Sequence, residues 1–176
     1  MALALGVSLW YNEADSGVFL LSTIVTLIAG IIGLLIGIGA ESKMGEREGY
    51  VIVAMVWVVF SAFGLLPYYL SGQVPTLTDA WFESMSGFTT TGATIIPDLN
   101  QITHGLLFWR AISQWIGGMG IIVLSIAILP IFGLNGMQLY AAEVSGLTYE
   151  KLSPRIADTA KMMWTTYLIL TVTEVL

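Results

Sequence analysis

The residues best suited to chemistry lie in one short run, Thr89-Thr90-Thr91-Gly92-Ala93-Thr94, in which threonines flank a single glycine. Held extended, such a run offers successive backbone carbonyl oxygens, and carbonyls so placed replace the hydration shell of an alkali cation. Gly92 permits backbone angles that a residue with a Cβ resists. The expected chemistry is coordination of a dehydrated monovalent cation by backbone carbonyls of the segment Thr89 to Thr94. A polar external turn would have the same composition, so the surroundings decide.

Two ionisable residues flank the run in otherwise apolar sequence, Glu83 before it and Arg110 after it. A charge below the membrane interface is costly unless paired or hydrated. A Glu83–Arg110 salt bridge would brace the run from behind; in the bland reading both side chains simply reach outer water. His104 is the single histidine and reads as an interfacial residue with no ligand set around it. An intramembrane enzyme or a scaffold built on Glu83, Arg110, His104 and Gln114 is the alternative function. It lacks metal-ligand spacing, a nucleophile–base pair and a second acidic group.

The elements that must position these residues follow from length and apolarity. A short helix over about 78–87, capped by Thr78 or Asp79 and ended by Gly87 and Phe88, would be about 14 Å long, half a bilayer. The run after it has about 20 Å of reach when extended, enough to climb back out before Pro97 and Asp98. Non-helical backbone at membrane depth is tolerated only where it is buried in protein or lines a watery path. Full spans flank this unit: Ser16 to Ala40, Tyr50 to Leu70, and a third from near Gly105 to near Gly133. The fold class is thus an all-α polytopic membrane protein in which a pore loop, a short pore helix leading into an extended selectivity-filter segment, lies between membrane spans.

Four regions are expected. Residues 1–48 hold a truncated helix, the first full span and a cytoplasmic turn. Residues 49–134 hold the pore loop between its two spans, with the pore helix at about 78–87 and the filter at 89–94. Residues 135–160 form a cytoplasmic loop, and 161–176 a truncated helix. Lys43, Arg47, Lys151, Arg155 and Lys161 place both basic loops on the cytoplasmic side. Gly117, Gly118 and Gly120 suit close helix packing, as does the stripe Ala29, Gly33 and Gly37.

Composition agrees with a membrane setting. Hydrophobic residues make up 56% of the chain and charged ones 10%, with a net charge of −6 and no cysteine. Scattered basic residues give no footprint for nucleic acid, and the missing cysteines exclude disulfides and thiolate metal sites.

The run DAWFESMSGFTTTGAT, followed by LFWRAISQWIGGMGIIVLSIAILP, GMQLYAAE and PRIADTAK, resembles the Trk/Ktr/HKT superfamily of potassium transporters, TrkH-type members above all. The resemblance implies four membrane-pore loop-membrane repeats around one pathway, preceded by two extra N-terminal helices; residues 1–48 would hold part of that preface, 49–134 the first repeat and 161–176 the start of a second, truncated one. It implies K⁺ as the transported ion, with Thr90 and Thr91 touching it and Gly92 as the filter glycine. It implies no covalent cofactor and no enzymatic activity. It also implies a bacterial inner-membrane location, a homodimer, and a cytosolic nucleotide-binding regulatory subunit docking near Asn135 to Ala160.

Overall fold

A computed structural model describes residues 1–38, 46–128 and 152–175. Its regular elements are helical, with no strand among the described residues. They are α1 (Ala2–Trp10), α2 (Ser16–Gly37), α3 (Glu46–Gly64), α4 (Leu66–Leu70), α5 (Leu77–Phe88), α6 (His104–Ile128) and α7 (Leu152–Val175), with a 3-10 turn at Leu99–Gln101.

By length and apolar composition, α2 is the helix among the described residues suited to cross a membrane, while Ala54–Leu70 is a shorter apolar stretch. Many large side chains of α2 stand open, Ile36 at 78% of its full accessibility. Such a surface calls for lipid or protein around it rather than water.

The expected second span is broken near its end. Pro67 has no N–H to offer and sits in the first turn of α4. The chain therefore leaves α3 at Gly64 and restarts as a short helix instead of continuing. The third expected span is found as α6, which starts at His104; its expected end near Gly133 lies outside the described residues. Helix α7 begins at Leu152, so the last part of the expected 135–160 loop is helical. The rest of that loop and the turn around Lys43 lie outside the described residues.

The chain forms two compact units. The first comprises Met1–Lys43 and Ala54–Gly117, the second Met44–Val53 and Gly118–Leu176. In the first, α1 packs on α2, α2 on α4, and α4 on α5. Phe19, Tyr68, Val74, Ala80, Phe88, Leu106 and Trp109 form its buried core. In the second, a Cβ on Gly118 would meet the Tyr167 hydroxyl at 2.8 Å, so this glycine is a close-packing position.

Candidate functional site

Helix α5 starts at Leu77, one residue before the expected position, and its cap lies two residues before the nearer expected one. Thr76 is its N-cap, and the side chain accepts a 3.1 Å hydrogen bond from the backbone N–H of Asp79. The pattern is a threonine cap with an acidic residue three positions on, which satisfies a free N–H and complements the helix dipole. Neither Thr78 nor Asp79 is the cap, because both already lie within the first turn.

Its C-terminus closes with two paired bonds. The Thr90 N–H donates to the Gly87 carbonyl and the Thr91 N–H to the Ser86 carbonyl, each at 3.0 Å. This is the Schellman arrangement, which needs a left-handed residue just past the C-cap, a position usually held by glycine. Here Thr90 holds it, at φ 58°. Left-handed backbone costs a residue with a side chain about 1–2 kcal/mol. Gly87 and Phe88, expected to end the helix, are its last two residues.

Past Thr90 the chain doubles back along α5. Gly92, at φ 73°, makes the second bend. Ser86 Oγ donates to the Ala93 carbonyl at 2.6 Å. One turn earlier on the helix, Glu83 Oε1 accepts from the Thr94 hydroxyl and, at 2.7 Å, from the Ile95 N–H. Helix α5 and the segment Thr90–Ile95 thus form a helix with an extended return.

Arg110 of α6 completes the attachment. Its Nε lies 3.4 Å from Glu83 Oε2, and its Nη2 donates to the Gly92 carbonyl at 3.2 Å. The side chain of Glu83 is 1% exposed and that of Arg110 15%, so this is a mostly buried ion pair. Of the carbonyls from Thr89 to Ala93, those of Thr89, Gly92 and Ala93 accept from Thr90 Oγ1, Arg110 and Ser86. Those of Thr90 and Thr91 accept no hydrogen bond from the described residues. The Gly92 carbonyl, expected to line the pathway, accepts from the guanidinium. Thr90 through Ile95 are exposed.

Close packing fixes α5. A Cβ on Gly117 would fall 2.1 Å from the Phe88 carbonyl oxygen, on Gly87 2.4 Å from Ser113 Oγ, and on Gly64 2.4 Å from Phe88 and Ser84. Ser84 Oγ donates to the Ser61 carbonyl at 2.9 Å, and Trp109 Nε1 to the Gly64 carbonyl at 3.0 Å. The stripe Ala29, Gly33 and Gly37 is different: Gly33 and Gly37 have nothing within 4 Å of a Cβ position.

His104 does not join Glu83 and Arg110. Its ring stacks on Tyr11 with centroids 4.1 Å apart, and its Nδ1 and backbone N–H both meet Glu13 Oε1. Glu13 Oε2 takes the Gly105 N–H at 2.9 Å, so one carboxylate from the α1–α2 turn caps α6. Burial by itself would raise the Glu13 pKa, but hydrogen bonds from Gly105 and His104 outweigh it and hold the carboxyl below its ordinary value. Asp15 accepts from Ser8 and Thr103, and Gln73 bonds both the hydroxyl and the N–H of Thr103. The sequence reading missed Glu13 and Asp15; its available signal was a pair of acids in a short turn next to an apolar helix. No hydrogen bond joins Gln114 to the Glu83–Arg110 pair among the described residues.

Comparison with known proteins gives these elements a context. Residues 17–176 match a family model described as TrkH, cation transport protein. The chain is 46% identical to "Trk system potassium uptake protein TrkH" of Salmonella typhimurium over 94% of its own length and 35% of the relative's. Against "Trk system potassium uptake protein TrkG" of Escherichia coli K12, identity is 36% over 93% of this chain and 34% of the relative. A crystal structure titled as the potassium transporter TrkH from Vibrio parahaemolyticus superposes with a TM-score of 0.76 at 36% identity, covering 98% of this chain and 34% of that one. The chain thus spans about a third of the length of the curated relatives it matches. A match over residues 17–176 places the chain in a transporter family and not an enzyme family: it belongs to the TrkH family of cation transport proteins.

Proposed function

We propose that the chain supplies one quarter of a potassium pathway, with α5 as pore helix and Thr89–Thr94 as the filter segment. The observation that carries this reading is the selective tethering of the return segment. Protein donors occupy the carbonyls of Gly92 and Ala93, while those of Thr90 and Thr91 stand unclaimed on an exposed face. Carbonyls held in place but not hydrogen-bonded are what a dehydrated cation needs. The C-terminal end of α5 adds negative partial charge nearby. Thr90 and Thr91 are the K⁺ ligands in this reading, and Gly92 is the hinge behind them.

The rest of the assembly follows from the resemblance. Further filter segments come from the remainder of a longer protein, which takes up K⁺ across a bacterial inner membrane with the basic loops in the cytoplasm. A homodimer and a cytosolic nucleotide-binding subunit belong to the same proposal, as does the absence of a covalent cofactor. The enzyme reading on Glu83, Arg110 and His104 is disfavoured because His104 is held by Glu13 and Tyr11 instead.

The test is ion flux into liposomes containing the full-length protein. K⁺ entry should exceed Na⁺ entry, and permuting the order of residues Thr89–Thr94 should abolish that preference at matched protein content. An unaltered preference after permutation would reject the assignment.

A further inference from the structure

The two ends of the segment that carries α5 and its return are fastened to each other and to the turn between α1 and α2. Gln73, just after α4, and Thr103, just before α6, meet at two points. Gln73 Nε2 donates to Thr103 Oγ1 at 3.1 Å, and the Thr103 N–H donates to Gln73 Oε1 at 3.0 Å. The Thr103 hydroxyl in turn donates to Asp15 Oδ2, and Ser8 Oγ of α1 donates to Asp15 Oδ1. A carboxylate only accepts, so its charge fixes the direction of every bond in this chain. Asp15 is 6% exposed and stands at the N-cap of α2, yet makes no side-chain bond to that helix. A buried carboxylate is costly unless its oxygens are used, and both are spent on other elements.

A second observation seats α6 on the same turn. A Cβ on Gly105 would fall 2.9 Å from Phe19 of α2 and 2.9 Å from Ser8 of α1, so the first turn of α6 lies directly against both helices. About two turns further along α6, about 10 Å, comes Arg110, which holds the Gly92 carbonyl. A shift of α6 along its axis therefore carries Arg110 along the return segment. We propose that Asp15, Thr103 and Gln73 form a clasp that sets the height of α6 against that segment, which makes them positioning residues for the filter. They act through Arg110 and do not touch the ion. Ligand groups must be held to within about 0.5 Å to discriminate, a smaller distance than the slack an unclasped helix end has. The inference rests on the filter reading above.

The experiment measures the K⁺/Na⁺ uptake ratio and the melting temperature of the full-length protein, the ratio at matched membrane abundance. Thr103→Val keeps the shape and the N–H bond to Gln73 but removes the hydroxyl that links Gln73 to Asp15. The ratio should fall at least about twofold, the lower end of what residues remote from a site exert on it. Thr103→Ser restores the hydroxyl and should keep the wild-type ratio. Gln73→Met, at a half-buried position, opens the same clasp and should also lower the ratio, which keeps the test open if Thr103→Val does not fold. Adding Gln73→Met to Thr103→Val should lower it little further, because both act through one contact. Wild-type ratios in Thr103→Val and Gln73→Met, with only the melting temperature lowered, would overturn the proposal; a lowered ratio in Gly92→Ser would then leave the filter reading standing. An equal loss in Thr103→Ser and Thr103→Val would also overturn the clasp. Unchanged ratios in Thr103→Val, Gln73→Met and Gly92→Ser together would overturn both.

Discussion

Arg110 Nη2 donates to the carbonyl oxygen of Gly92 across 3.2 Å, so the guanidinium that faces Glu83 also holds the peptide of the glycine in the return segment. Arg110 is therefore a two-sided bracket. One side meets a carboxylate, the other a backbone dipole, and the planar fork of arginine suits both at once.

The first prediction concerns that bracket. Arg110→Lys keeps the charge but offers a single ammonium, so it should lower the K⁺/Na⁺ preference of the full-length protein. Arg110→Ala should destabilise it by about 3–5 kcal/mol, because Glu83 is left buried without a countercharge. Exchanging the two residues should rescue neither, since a glutamate at 110 would face the Gly92 carbonyl and an arginine at 83 cannot accept from Ile95. Thermal unfolding and ion uptake check both arms; recovery in the exchanged protein would contradict the bracket.

Thr90 gives a prediction in which stability and selectivity move in opposite directions. A threonine at φ 58° closes α5 where glycine would do so without strain. Thr90→Gly should raise unfolding stability by about 1 kcal/mol and yet change cation preference. A melting curve paired with a K⁺/Na⁺ uptake ratio decides. Loss of stability would show that the left-handed turn is not strained.

Much of this was legible in the sequence, for local reasons. The half-length helix showed as apolar sequence too short to span, and the Glu83–Arg110 pair showed because charges are conspicuous among apolar residues. Features set by distant contacts stayed hidden. Glu13 and Asp15 find partners 88 to 92 residues away, and no local pattern announces them. A β-branched residue is the last choice for a left-handed turn, so Thr90 read as an extended carbonyl donor rather than a helix closer. The direction of the Gly92 carbonyl depends on Arg110, which only folding brings near. The cap of α5 was displaced because Thr76, Thr78 and Asp79 all suit that role by type.

Helix packing gives a contrast between two glycines. Gly117→Ala would drive a methyl group into the Phe88 backbone, 2.1 Å from its carbonyl oxygen, whereas Gly33→Ala meets nothing within 4 Å. The first should cost about 1–3 kcal/mol and lower membrane abundance; the second should be neutral. Equal abundance and equal melting temperatures for the two variants would contradict the packing of α5 on α6.

The cap on α6 predicts a pH dependence. Glu13 is held below its ordinary value of 4.5, so its contribution is present above that pH and is lost as pH falls through the lower folded value. Wild type should therefore melt higher than Glu13→Gln at neutral pH, and the gap should shrink as the medium is acidified below 4.5. A gap that widens on acidification would reverse the sign and contradict the cap.

The central claim, that Thr89–Thr94 is a cation filter, is tested most directly by comparing two glycines that differ in place but not in backbone. Gly92 and Gly72 have φ 73° and 71°, and a Cβ on either would meet nothing within 4 Å. Gly92→Ser and Gly72→Ser thus impose the same strain, one inside the return segment and one in the turn after α4. The measurement is the K⁺/Na⁺ uptake ratio of the full-length protein bearing each change, at matched membrane abundance. The account predicts a lowered ratio for Gly92→Ser with K⁺ flux retained in part, and a wild-type ratio for Gly72→Ser. A wild-type ratio and K⁺ affinity in Gly92→Ser, or an equal loss in both variants, would contradict it.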